Sequence, residues 1–268
     1  MGIVFAIIGL AIGALVNRLA DRLPAYARDP LRRPRQDRAL CDHCGRPRWR
    51  LSWFPLASFL GQRGRCPYCG APLPLRDVVV QLAMAVIFAA LWARYAPDPT
   101  PLLLASAYAA LFMLIGVIDW EHRLILDVVI LPAIGTALLL ALLAPGWLNA
   151  LFPQLEQTSP FSWLVGGGIG LAFFSLAWLL GQRLYGAGAL GQGDIKLATF
   201  IGLITGFPLV IIALSSGILI GGVVSLLLVL TRLRSLRSFI PYGPFLIVGA
   251  AIALWSGPDI LRWWLGPR

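Results

Sequence analysis

Charged side chains are scarce in this sequence: of 268 residues, 13% are charged and 59% are hydrophobic. A typical soluble domain carries about 25% charged residues. Because most of a soluble domain's surface must stay in contact with water, a chain of this size cannot hide so much hydrocarbon in one core. The shortage of charge therefore excludes a soluble globular domain and a disordered chain, and it favours a polytopic membrane protein.

Lysine is almost absent, and the positive charge is concentrated in one stretch of the chain. The sequence has 21 arginines but only one lysine, Lys196. Residues 18–76 hold thirteen of the arginines and four acids, so this stretch carries +9 of the net charge of +10. The remaining 209 residues are nearly neutral, so the net charge describes one loop and not the whole protein. We therefore expect no nucleic-acid partner, but a single basic loop near the headgroups of membrane lipids.

Apolar runs of about 20 residues mark the membrane-spanning helices. We predict an all-α polytopic membrane protein with about eight transmembrane helices. The expected spans are residues 2–19, 78–95, 101–118, 124–144, 161–181, a short sixth span from 194, a seventh that ends at 230, and 240–255. The sixth and seventh spans are divided at residues 206–208, Gly-Phe-Pro, because this tripeptide interrupts a helix.

The basic loop predicts which way the protein faces, because cytoplasmic loops carry an excess of Lys and Arg. With this loop in the cytoplasm, nineteen Lys and Arg residues fall inside and three fall outside. Both termini are then extracytoplasmic. The expected domains are a first transmembrane helix (1–20), a cytoplasmic Arg-rich loop (21–77) and a multi-helix transmembrane domain (78–268).

All four cysteines lie in the basic loop, as two C-x2-C pairs. The pairs are Cys41/Cys44 and Cys66/Cys69, and each is followed by a glycine. A C-x2-C turn directs two thiolates at one metal ion, and the glycine relieves the tight turn. In a reducing compartment, this pattern favours a structural Zn²⁺ over disulfides or free thiols. A site closed by four thiolates leaves no position for chemistry, so we assign the zinc to folding of the loop.

Four acids lie at the predicted cytoplasmic ends of spans: Asp119, Glu121, Asp127 and Asp194. Charged groups at membrane depth are costly and are functional candidates by default. Asp194 follows two closely spaced glycines at a helix start, where an ordinary N-cap is the alternative. For Asp119 and Glu121 the alternative is an acid solvated at the interface, and for Asp127 it is helix capping.

Two carboxylates on different helices at one membrane depth permit more than one chemistry. An aspartyl-protease pair shares one proton, so that one acid acts as base towards water and the other as acid towards the peptide carbonyl. The same acids also suit a proton or cation relay in an ion-coupled transporter. A third hypothesis is a zinc-stabilised membrane scaffold that catalyses no reaction. The residue pattern alone does not rank these hypotheses.

Several motifs, in order along nearly the whole chain, resemble those of the prepilin peptidases, also called type IV leader peptidases. Residues 191–198, GQGDIKLA, resemble the family's GxGD-x-K-L signature. Residues 118–127 resemble its other aspartate signature, with Leu126 in place of the usual proline. The N-terminal GxxxN motif, the cysteine pairs with residues 55–66, and residues 240–245 (IPYGPF) also match family elements.

The resemblance implies an intramembrane aspartic endopeptidase with Asp119 and Asp194 as its catalytic pair. Its expected substrates are type IV prepilins and the pseudopilins of type II secretion, cleaved on the cytoplasmic face of the bacterial inner membrane. Lys196 is then expected to favour the ionised form of the nearby carboxylate. The other expected supporting residues are Asp127, which orients the site, and Gly191 and Gly193 of the signature.

Many members of the family also N-methylate the new N-terminus with S-adenosylmethionine as the cofactor. The resemblance associates this activity with the long cytoplasmic loop, and it is weaker there. Ser52 and Gln81 occupy positions at which the family usually has acids. Cleavage is therefore the primary expected activity, methyl transfer stays open, and no cofactor-binding residues are assigned.

Overall fold

The structure is a computed structural model that describes residues 1–28, 41, 43–46, 55–72, 74–153, 159–185, 191–232 and 241–265. Within these residues the protein forms ten helices and no named strand, as expected for an all-α membrane protein. The helices are α1 (Gly2–Arg28), α2 (Pro55–Gly61), α3 (Leu75–Tyr95), α4 (Pro99–His122), α5 (Asp127–Leu143), α6 (Pro145–Asn149), α7 (Pro160–Tyr185), α8 (Gln192–Thr205), α9 (Leu209–Leu230) and α10 (Gly243–Leu265).

Each of the eight expected spans corresponds to one long helix or to one of two shorter ones. Helices α1, α3, α4, α7, α9 and α10 are long and apolar enough to cross a membrane. Helix α5 has 17 residues and α8 has 14. At 1.5 Å per residue, α8 is about 21 Å long, which is shorter than a hydrocarbon core of about 30 Å.

The chain divides into two compact units, Met1–Ile118 and Asp119–Arg268. In the first unit, α1 and α3 pack closely, because Gly13 brings the α1 backbone against Gln81 of α3: a Cβ on residue 13 would lie 2.8 Å from the Cα of Gln81. The helix α1 also continues to Arg28, beyond the end of the span predicted at residue 19. Hydropathy marks where the apolar stretch ends, whereas the helix itself continues through polar residues.

A buried polar network joins α1 to α3 in the first unit. Asn17 of α1 is 3% exposed and donates its side-chain N–H to the carbonyl of Asp77 at 2.9 Å. Arg76 forms ion pairs with Asp21 at 3.1 Å and with Asp77 at 3.3 Å. The burial of Asp77 is therefore compensated by an arginine and by further hydrogen bonds nearby.

Gln81 extends this polar contact to the short helix α2. Its side chain is 1% exposed, donates to the carbonyl of Leu10 in α1 at 3.1 Å, and accepts from the N–H of Leu56 at 2.6 Å. The Leu56 N–H lies in the first turn of α2, where a helix leaves its N–H groups without intrahelical partners. One buried amide thus ties three helices together.

The second unit is built around α8, which is enclosed by neighbouring helices. Helices α5, α7, α9 and α10 all pack against it. Gly202 of α8 and Gly166 of α7 meet backbone to backbone, and a Cβ on either residue would overlap the carbonyl oxygen of the other. Because α8 is surrounded by protein for most of its length, it does not need the 20 apolar residues of a lipid-exposed span.

The predicted break between the sixth and seventh spans is confirmed. Helix α8 ends at Thr205 and α9 begins at Leu209. Gly206 has φ +68°, and a Cβ on it would lie 2.8 Å from the ring of Trp163 in α7. The turn is fixed to the start of α7, because Phe207 donates its N–H to the carbonyl of Ser162 and accepts the Ser162 hydroxyl.

Candidate active site

Asp119 lies three residues before the end of α4 and is 5% exposed. The main-chain N–H of Gly243, the first residue of α10, donates to Oδ2 of Asp119 at 3.1 Å. A Cβ on residue 243 would come within 2.5 Å of that oxygen, so glycine permits the close approach. The buried position of Asp119 differs from that of an acid solvated at the membrane interface.

Asp194 is the third residue of α8 and is 9% exposed. Its main-chain N–H donates to the carbonyl of Gly191 at 3.1 Å, and Gly191 is the N-cap residue of the helix. Asp194 is therefore not the N-cap, although the positive end of the α8 dipole still favours a carboxylate in the first turn. The main-chain N–H of Gly191 in turn interacts with the Asp194 carboxylate.

The two acids both lie in the second unit. The charges of Asp119 and Asp194 act on one another, and neither forms an ion pair in the part of the chain that the structure describes. In general, two buried carboxylates that interact cannot both ionise cheaply, so such pairs tend to share one proton. Such a pair has one group able to accept a proton from water and one able to donate a proton.

Lys196 contacts Asp127, whereas the sequence suggested that it would act on a catalytic carboxylate. Its Nζ forms a direct ion pair with Oδ1 of Asp127, the first residue of α5. The two side chains are partly open to solvent, at 32% for Lys196 and 59% for Asp127. The pair connects the N-terminal part of α8 to the first turn of α5.

Gly193 contributes a second contact, between the start of α8 and the loop that precedes α5. A Cβ on Gly193 would lie 2.8 Å from the Cβ of Ile125, in the loop between α4 and α5. The glycine thus lets the turn that carries Asp194 pack directly on this loop. Glu121, at the end of α4, is exposed to solvent, as expected for an interfacial acid.

Two residues near the acids were not assigned a role from the sequence. Gly243 supplies the amide that binds Asp119. The preceding residue, Tyr242, is half-buried, and this desolvation together with the charge of Asp194 raises the pKa of its phenol to about 12. Its hydroxyl therefore keeps its proton at neutral pH. Both residues belong to the IPYGPF element, whose Ile240 lies outside the described residues, and its pattern gave no sign of which acid it would contact.

The four cysteines form one cluster in the first unit. Their Sγ atoms all lie within 4.8 Å of one another. The two C-x2-C turns have the same backbone pattern: Gly45 donates to the carbonyl of Cys41 at 2.8 Å, and Gly70 donates to that of Cys66 at 2.9 Å. Both glycines have positive φ angles, +67° and +72°. The turn that the sequence predicted after each pair is confirmed.

The cluster has the dimensions of a tetrahedral thiolate site. The Sγ atoms of Cys41 and Cys69 are 3.7 Å apart, and those of Cys44 and Cys66 are 3.9 Å apart. Four sulfurs at about 2.3 Å from one Zn²⁺ would be about 3.8 Å apart. The N–H groups of Cys44 and His43 lower the pKa of Cys41 to about 6, which favours the thiolate form that binds metal. The four thiols thus fit a metal ion.

The two positions that depart from the expected methyltransferase pattern have different outcomes. Gln81 is the buried amide that ties α1, α2 and α3 together. Both ends of its side chain are used in this contact, so Gln81 has a structural role in this protein. Ser52 lies outside the described residues.

Two family models match the chain and together cover most of it. Residues 7–95 match the bacterial peptidase A24 N-terminal domain, and residues 106–226 match the type IV leader peptidase family. The second model includes Asp119, Asp127 and Asp194. No solved structure matches the chain.

Curated relatives give the same result over nearly the full length. The chain is 33% identical to a prepilin leader peptidase/N-methyltransferase of Aeromonas hydrophila, over 85% of this chain and 74% of the relative. It is 28% identical to proteins of that name from Aeromonas salmonicida, over 96% and 91% of the two chains, and from Pseudomonas aeruginosa, over 97% and 91%.

Proposed function

The chain belongs to the type IV leader peptidase family, and we propose that it cleaves the leader from type IV prepilins and pseudopilins with Asp119 and Asp194 as the catalytic pair. The observation that carries this assignment is the placement of two buried, interacting carboxylates on α4 and α8 without an ion pair to either in the described structure. Their positions in the two aspartate signatures support the same assignment.

The pair acts by general acid–base catalysis on a water molecule and a peptide bond. The ionised aspartate takes a proton from water, whose oxygen attacks the scissile carbonyl carbon. The protonated aspartate donates its proton to the carbonyl oxygen. Collapse of the tetrahedral intermediate breaks the C–N bond, and the leaving amine takes a proton from the pair. Gly243, through its N–H, holds one oxygen of Asp119 in place during these steps.

Cleavage is tested with purified protein in detergent or proteoliposomes and a prepilin, by the mass of the product. Asp119→Ala and Asp194→Ala are each expected to abolish the product, and Asp259→Ala is the matched control at an exposed acid near the C-terminus. Full activity in either of the first two variants would remove that residue from the catalytic pair. The transporter alternative has no support in the comparisons.

The cysteine cluster is proposed to hold a structural Zn²⁺ through Cys41, Cys44, Cys66 and Cys69. The near-tetrahedral sulfur separations support this choice, because zinc with four thiolates is typical of structural sites. The bound ion would supply cross-links between two chain segments rather than chemistry. Metal analysis of the purified protein, together with a Cys66→Ser variant, tests the identity of the ion.

N-methylation of the new N-terminus with S-adenosylmethionine is proposed as a second activity, on the names of the relatives alone. No cofactor-binding residues are assigned among the described residues. The departures from the family pattern at Ser52 and Gln81 count against the activity. The test adds S-adenosylmethionine to the cleavage assay. A gain of one methyl group on the cleaved product supports it, and an unmodified product in the presence of cofactor refutes it.

The active site is proposed to face the cytoplasm, and both termini are proposed to be extracytoplasmic. The basic loop is proposed to lie near the headgroups of the membrane lipids. The excess of Lys and Arg on one set of loops supports this orientation. Labelling of single cysteines introduced near either terminus, with a membrane-impermeant reagent on intact cells, tests it. Labelling at the termini only after membrane disruption would reverse the assignment.

A further inference from the structure

We propose that Lys196 and Asp127 work as one positioning unit, which holds the turn that carries Asp194 against the segment that follows Asp119. This inference rests on the proposed peptidase function. It assigns to Lys196 a role through its partner Asp127 and not through a direct effect on the charge of Asp194. The two residues are thus positioning residues, and neither touches the reacting atoms.

The contacts of the two segments carry this proposal. The loop of residues 123–126 joins the end of α4, which bears Asp119, to the start of α5 at Asp127. The N-terminal part of α8 touches this region twice, through the close packing of Gly193 on Ile125 and through the ion pair of Lys196 with Asp127. Two separate contacts restrain both translation and rotation of one segment against the other.

Helix geometry separates Lys196 from Asp194. Residues two apart on an α-helix do not face each other, because each residue turns the helix by about 100°. Asp194 and Lys196 are both within α8, so their side chains leave the helix in nearly opposite directions. The side that bears Lys196 meets α5, whereas Asp194 interacts with Asp119.

The charge of Lys196 is also compensated where it lies. A cation with an anion in direct contact presents a dipole to more distant groups, and partial exposure to water screens what remains. Asp127 is the first residue of α5, where a negative charge also interacts favourably with the helix dipole. The pair is thus suited to a geometric role.

A positional role matters because catalysis depends on the separation of the two carboxylates. A displacement of about 1 Å in a catalytic group can reduce a rate by about a hundredfold. Loss of one of two restraints should have a smaller effect, since the Gly193–Ile125 contact remains. We expect about a tenfold loss of kcat with little change in KM.

A double-mutant cycle on the cleavage assay tests the proposal. Lys196→Met and Asp127→Asn are each expected to lower kcat about tenfold, and the double variant is expected to be no slower than either single variant, because the same contact is lost. Lys196→Arg should keep most of the activity, since a guanidinium can also pair with Asp127. The pH at which kcat is half-maximal should stay the same in all these variants.

The outcomes separate this inference from the proposed function. Glu121→Gln, which removes an exposed acid from the end of α4, is the matched control and should cleave at the wild-type rate. Losses that multiply to about a hundredfold, silent single variants, or a shifted pH profile in Lys196→Met would overturn the positioning role while cleavage by the wild-type protein stands. If Lys196→Met does not fold, a charge-exchanged double variant, Lys196→Glu with Asp127→Lys, replaces it. This double variant should cleave faster than Lys196→Glu alone, because the ion pair is restored with reversed charges. An equally low kcat in both would contradict the positioning role of the pair. An inactive wild-type protein would remove both proposals.

Discussion

The two units of the molecule treat buried acids in opposite ways. In the first unit, Asp77 is 6% exposed and is paired with Arg76. In the second unit, Asp119 and Asp194 are similarly buried, yet neither has an ion pair among the described residues. Desolvation of a carboxylate costs free energy unless partners compensate for it. The comparison teaches that burial alone does not distinguish a structural acid from a candidate catalytic one, whereas its partners among the described residues do.

The largest expected effect on catalysis separates these two kinds of acid. Asp194→Asn should lower kcat by about 10³-fold or more, since an amide cannot exchange the proton that general acid–base catalysis requires, and it should leave the unfolding temperature unchanged or raised. Asp77→Asn should do the reverse: it removes one partner of the partly buried Arg76 and should lower the free energy of unfolding by about 2 kcal/mol, with kcat near the wild-type value. Cleavage kinetics and thermal unfolding of both variants provide the measurements, and a loss of kcat in Asp77→Asn equal to that in Asp194→Asn would end the distinction.

Metal removal has the largest expected effect on stability, and it concerns the first unit only. A chelator should unfold the cysteine turns, because four thiolates without their ion repel one another and the folding free energy of such small sites comes from the metal, at about 10 kcal/mol or more. Hydrogen exchange at the amides of Gly45 and Gly70, which donate to cysteine carbonyls, should become fast. The amide of Gly206, bonded to Gly202 in the second unit, is the internal control. Protection that survives chelation at Gly45 and Gly70 would contradict a structural metal.

Glycine packing in the second unit predicts a smaller loss of stability. Gly202→Ala places a Cβ on the backbone of Gly166, so α7 and α8 must separate, at a cost of about 2 kcal/mol. Gly222→Ala in α9 is the matched control, since a Cβ there meets nothing within 4 Å, and alanine is otherwise the better helix residue. Unfolding in a mixed-detergent titration compares the two variants. Equal stabilities would show that α7 and α8 can separate without cost.

The smallest expected effect concerns the backbone contact at Asp119. Gly243→Ala brings a Cβ to 2.5 Å from Oδ2 of Asp119, so the carboxylate must shift away from its amide partner. We expect about a tenfold fall in kcat at an unchanged KM. Gly135→Ala in α5, where a Cβ meets nothing within 4 Å, should cleave normally. Wild-type kcat in Gly243→Ala would show that the position of this oxygen is not critical.

Features encoded by local residue chemistry could be predicted from the sequence. The break at residues 206–208 follows from a glycine and a proline, and the two cysteine turns follow from their C-x2-C-G spacing. The positions of Asp119 and Asp194 at the ends of apolar helices were also apparent, because an acid stands out against hydrocarbon. In each case the signal lies within a few residues of the feature.

Contacts between distant segments could not be predicted in this way. The pairing of Lys196 with Asp127 joins residues 69 positions apart, and Gly243 is 124 positions from Asp119. A single sequence contains the residues of such pairs but not their three-dimensional separation. The sequence therefore led us to associate Lys196 with its neighbour Asp194, which was the nearest acid along the chain but lies on another side of the helix.

The backbone contact between Gly166 and Gly202 has a consequence for how this protein can vary. The main chains of α7 and α8 touch directly there, so the position of α8, and with it that of Asp194, is set by the main chain as long as both residues are glycine. Side chains on the outer surfaces of α7 and α9 contribute little to this distance. Substitutions on the outer surface can thus suit the protein to bilayers of different thickness and lipid composition without moving Asp194.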